Sequence, residues 1–175
     1  MKNLPPRHFK RTLELADLYH REAHRCAGVR AYYAACAASG AALEAMLLSM
    51  CSLYLDEVDS IVTQRRLKVP RSLDKWNLGH MLMIAREMRW LPGRSSPRAL
   101  QKVGDWAGVL KDVRNFVHPG AHLREFPTGR LRAADFHMMD EILEGAIGWL
   151  RHRIEANLLA AISKPKAGRA KVTRR

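Results

Sequence analysis

The chain has 175 residues, 47% of them apolar and 27% charged, a composition that suits one globular domain and excludes collagen-like or disordered chains. Thirty Lys and Arg against 17 Asp and Glu give a formal charge of +13, which points to a polyanionic partner, nucleic acid first. Three cysteines (Cys26, Cys36 and Cys51) are too few and odd in number for a secreted disulfide scaffold. They read as reduced thiols of a cytoplasmic protein. Glu44 and Ser49 interrupt the most apolar run, around Ala41–Cys51, short of the ~20 residues of a span, so no membrane association is expected. Met1–Pro6 carries no signal-peptide core.

In chain order, Pro5-Pro6 opens a first helix, because proline at a helix start sacrifices no hydrogen bond. Phe9, Leu13, Ala16 and Leu18-Tyr19 carry it to about Arg25, and Gly28 is expected to break it. Tyr32, Cys36, Ser39, Leu43, Leu47, Met50 and Tyr54 step by three or four, defining the second helix. Its first half, Ala34–Ala42, is almost entirely small residues and predicts close packing within or between subunits. Asp56–Leu67 continues it or forms a short helix, ending before the Lys68–Ser72 break. Asn77 caps the next helix, which carries Leu78, Leu82, Ala85 and Met88 and is expected to stop at Pro92-Gly93. Ser96-Pro97 starts another, running through Leu110 to Val117, with Pro119-Gly120 as its end. A loop with Pro127 and Gly129 leads to a last helix, about Ala133–Ile162, striped by Phe136, Met139, Leu143, Ala146, Leu150 and Ile154. No alternating strand pattern appears. The fold class is all-α, an up-and-down bundle of four to six helices over 1–163. Residues 164–175 hold six basic residues and no acid, and read as a disordered basic tail.

The chemistry concentrates in Lys111–Gly120. On a wheel with Leu110 at the origin, Val103, Trp106 and Val117 mark the buried direction, with Arg114 at about 40° and His118 at about 80°. Arg114 and His118 are therefore i, i+4 neighbours on the flank of an apolar stripe, where a guanidinium is costly unless something anionic meets it. Beside it, an imidazole exchanges protons near neutrality, and together they suit phosphodiester chemistry. Asn115 is placed to orient either partner or a ribose hydroxyl. The alternative is structural: His118 in the last turn favours the helix dipole, and Arg114 pairs with a buried acid such as Glu44.

Arg114-Asn115-Phe116-Val117-His118-Pro119-Gly120 resembles the Arg-Asn…His signature of the HEPN superfamily. Ala41–Leu47 and Trp76–Leu82 are similar to small prokaryotic HEPN-like proteins in order and spacing. The resemblance implies a helical bundle that homodimerises, bringing both Arg/His pairs to one cleft. It implies a metal-independent endoribonuclease of a stress, toxin–antitoxin or phage-defence system, with no cofactor. The ribose 2′-hydroxyl would attack the adjacent phosphate, with His118 handling the proton, Arg114 stabilising the transition state and Asn115 supporting. Lys111, Arg124 and Arg130 would bind the RNA, and a nucleotidyltransferase-type antitoxin is the protein partner such systems imply. Fewer residues separate Arg114 from His118 than is usual in the family, and His122 fits the motif less well. The rival reading is a catalytically silent dimer that binds nucleotide, nucleic acid or a partner protein.

Elsewhere, His20 and His24 have the i, i+4 spacing of zinc ligands, but the sequence places no third ligand beside them, so they read as a solvated face and no metal is expected. Arg65–Lys68 and Arg151–Arg153 read as exposed basic faces. The tryptophans and methionines read as core or interface packing.

Overall fold

A computed structural model describes residues 1–91 and 131–163. Among these the protein is all-α: α1 (Pro6–Gly28), α2 (Tyr32–Leu53), α3 (Leu55–Gln64), α4 (Leu78–Glu87) and α5 (Ala133–Ser163), with one 3-10 turn at Leu73–Lys75. A single backbone bridge between Lys2 and Ser72 is the one extended pairing among the described residues. The tail at 164–175 and the helix expected from Pro97 to Val117 lie outside them.

α2 is the axis of the bundle, with α1 and α5 packed along it and α4 against it. It takes that place because it is apolar nearly all round. Leu43, Met46, Leu47, Met50 and Cys51 are fully buried, each large aliphatic side chain contributing about 1.5–3 kcal/mol. By length and composition α2 would also suit a membrane, but 67% of its apolar window is buried inside the bundle, as a central core helix is.

The small residues do what their size predicts. Ala35 and Cys36 of α2 are fully buried against Phe136 and Met139 of α5 and Leu131 just before it. On α1, Ala16 and Ala23 are buried in turn. Where the start of α1 meets the C-terminal part of α2, the Thr12 and Ser49 hydroxyls meet at 2.7 Å, and Ser49 donates to the Ala45 carbonyl. That buried polar pair is satisfied. The whole expected stripe of α5, from Phe136 to Ile154, is buried. Leu18 is instead exposed, because it sits about 200° round α1 from Ala16. Met138 is 55% exposed for the same reason, lying about 200° from Phe136.

The helix ends differ from the glycine and proline stops. Gly28 lies within α1, and the left-handed residue that ends the helix is Arg30 at φ 60. Ala31 N–H donates to the Cys26 carbonyl and Arg30 N–H to that of Ala27, the two bonds of a Schellman motif. The same pair of bonds ends α3 at Arg66 (φ 51) and α4 at Arg89 (φ 50). α4 thus stops before Pro92-Gly93. Arginine is strained in this conformation, although its charge suits a helix C-terminus. Arg30→Gly, Arg66→Gly and Arg89→Gly should each stabilise the fold by about 0.5 kcal/mol. Urea unfolding checks this; unchanged or lower midpoints in all three would contradict it.

The Asn77 cap is as expected. Its side chain accepts from His80 N–H at 3.1 Å, and His80 Nδ1 accepts from Asn77 N–H at 3.2 Å. Histidine here fills the position that glutamate or glutamine usually holds in a capping box.

All three cysteines are free thiols. Burial pushes Cys36 and Cys51 up to about 12, so the reactive thiolate is suppressed at both. Iodoacetamide at about pH 8 should therefore label half-buried Cys26 and spare the other two until the protein unfolds. Equal labelling of all three in the native state would contradict this.

Candidate functional site

The residues expected to carry chemistry, Arg114, Asn115 and His118, and those expected to bind RNA, Lys111, Arg124 and Arg130, lie outside the described residues. The structure does describe both anchors of the segment that holds them. On one side, Trp90 is buried, with its ring centroid 5.7 Å from that of Tyr54 at the C-terminal end of α2. On the other, Leu131 is buried against Ala35 and Cys36, and its N–H donates to the Tyr33 hydroxyl at 3.4 Å. The segment therefore leaves from one end of α2 and returns at the other. Glu44, the acid considered for Arg114, is half-buried on α2.

Among the described residues, ionisable side chains converge where α1 and α5 face each other across one flank of α2. Asp17 pairs with Arg151, His20 with Glu144, and His24 with both Glu144 and Asp140. As the numbers rise on α1 they fall on α5, so the two helices run antiparallel along this seam. The i, i+4 spacing of His20 and His24 puts both rings on the same side of α1, and their centroids are 4.9 Å apart, edge to face. Asp140 and Glu144 have the same spacing on α5 and answer them.

The atoms converge closely. His20 Nε2 lies 2.9 Å from Glu144 Oε1. His24 Nε2 lies 3.3 Å from that same oxygen and 3.3 Å from His20 Nε2. On its other edge, His24 Nδ1 is 3.7 Å from Asp140 Oδ2. Burial holds the Asp140 carboxyl above its usual range, opposed by the neighbouring His24. Its Oδ1 is buried with no hydrogen-bond partner among the described residues. The sequence shows the two histidines, but Asp140 and Glu144 lie more than 100 residues away, and only an i, i+4 acidic pair marks them there.

The two basic faces also acquire partners. Arg65 Nε meets Glu87 at 3.3 Å. Arg153 Nη1 donates to the Arg89 carbonyl at 2.9 Å and approaches that of Trp90 at 3.5 Å, so α5 covers the end of α4 with a cation. Of the tryptophans expected in core or interface packing, Trp76 and Trp90 are buried, Trp149 is 39% exposed and Trp106 lies outside the described residues.

The chain matches no protein-family model, no curated protein and no solved structure. What its structure defines is an all-α helical bundle with a polar His/carboxylate seam on one flank.

Proposed function

We propose that the protein is a HEPN-like, metal-independent endoribonuclease of a stress, toxin–antitoxin or defence system, acting in the cytoplasm as a homodimer. The observation that carries the reading is the Arg114-Asn115…His118 constellation, an arginine and an imidazole on one helix flank in a basic chain. Three further features support it: the all-α architecture, the +13 charge, and a segment anchored at both ends of α2. From Cys36 to Tyr54 is roughly 27 Å along a helix axis, a span that the helix expected from Pro97 to Val117 is long enough to cover. For the dimer, Met138 and Trp149 are both exposed and, three turns apart, share one line of α5. RNA would lie on Lys111, Arg124 and Arg130, and a nucleotidyltransferase-type antitoxin would silence the activity.

The second reading, a silent helical dimer that binds nucleotide, nucleic acid or a partner protein, is favoured by one observation, the short spacing from Arg114 to His118. The deciding experiment is RNA cleavage in EDTA by the wild type, Arg114→Ala and His118→Ala, with the product ends mapped. Cutting by the wild type alone, leaving 2′,3′-cyclic phosphates, is the expected result. Three folded, dimeric and equally inert proteins would leave the binding module.

A further inference from the structure

We propose that the seam between α1 and α5 is a divalent metal site of the zinc class, with His20 Nε2, His24 Nε2 and Glu144 Oε1 as ligands and a fourth position open to water. The geometry is that of a tetrahedral face. Donors bound at 2.0–2.1 Å on tetrahedral corners stand about 3.3–3.4 Å apart, and the three edges here are 3.3, 3.3 and 2.9 Å. Nitrogen and carboxylate oxygen are the donor types zinc takes.

Protons can satisfy the carboxylate, with both Nε2–H groups donating to Glu144 Oε1, but the 3.3 Å approach of the two Nε2 atoms then carries no hydrogen bond. With both imidazoles neutral, a proton on one Nε2 can point at the other ring or at the carboxylate, not at both in good geometry. A cation at the centre satisfies all three donors together. The carboxylates of Asp140 and Glu144 offset its charge in an otherwise basic protein. Asp140 is a positioning residue: it faces His24 Nδ1 from the side away from the ligand face, the carboxylate–histidine–metal arrangement that fixes a ring's tautomer and orientation. One donor atom from each of His20, His24 and Asp140 also lies within 4.8 Å of the others, so a second carboxylate stands close to the two imidazoles.

The ion would tie α1 to α5 directly. This is separate from the proposed RNA cleavage, which calls for no metal, and running the cleavage assay both with and without EDTA lets the two proposals fail independently.

The test uses the full chain, stripped with chelator and checked for helicity by circular dichroism. Zinc is titrated by calorimetry and cobalt by visible absorption. One ion per chain is expected, with tetrahedral cobalt bands lacking a sulfur-to-cobalt transition, and a thermal midpoint that rises with zinc. His20→Ala, His24→Ala and Glu144→Gln should each abolish stoichiometric binding. Asp140→Asn should weaken it about 10- to 100-fold and keep the cobalt spectrum. If a histidine variant unfolds, the corresponding His→Gln variant takes its place. Absence of stoichiometric binding by the wild type, binding undiminished in the folded histidine variants, or a thiolate band would overturn the proposal.

Discussion

Trp90→Ala should lower stability by about 3–5 kcal/mol, a large part of the 5–15 kcal/mol typical of a domain. Trp90 is only 2% exposed and sits in the main core against Tyr54. Few smaller neighbours can collapse into so large a vacancy, because Tyr54 closes α2 and Arg153 holds the adjacent backbone carbonyls from α5. Losing the indole would loosen the junction of α2, α4 and α5 at once. For a chain of this size the thermal midpoint should fall by about 6–20 °C. Trp90→Phe keeps a ring beside Tyr54 and should cost much less. Equal midpoints for the wild type and Trp90→Ala would mean that this junction carries little of the stability.

The other large effect concerns Arg114 and His118. In the proposed reaction, removing the imidazole takes away the proton acceptor for the 2′-hydroxyl and should slow cleavage about 10²- to 10⁴-fold. Removing the guanidinium leaves negative charge on the phosphoryl oxygens uncompensated, a loss of about 10²- to 10³-fold by analogy with lost oxyanion donors. Acting on one transition state, the two groups should not be additive, so the double variant should be little slower than the worse single one. Arg114→Lys separates charge from shape. Lysine keeps the positive charge but not the planar fork that grips two oxygens, so near-wild-type activity would indicate a purely electrostatic role and a partial loss a share for the fork. Neither change should alter helicity.

Long-period features were legible in the sequence. α2 and α5 were readable because their apolar stripes run for five or more turns, and both occur close to the expected bounds. The Asn77 cap was legible because its chemistry is local. The helix ends were less so: they rest on Arg30, Arg66 and Arg89 in a conformation where glycine is the usual signal. The His/carboxylate seam was half legible. His20 and His24 announce themselves by spacing, but Asp140 and Glu144 find them only through α2, against which both outer helices pack. No local pattern encodes that meeting.

The order in which the chain is made gives α2 a particular vulnerability. About 80 residues separate its end from the start of α5, which at synthesis rates of about 5–20 residues per second is roughly 4–16 s. Throughout that interval α1 can cover one side of α2, while the side that α5 will occupy stays bare. The exposed segment is as apolar as a membrane span, and newly made chains carrying such a segment are targets for holdase chaperones and for aggregation. A stalled nascent chain ending before α5 should therefore associate with chaperones, and the finished protein should not.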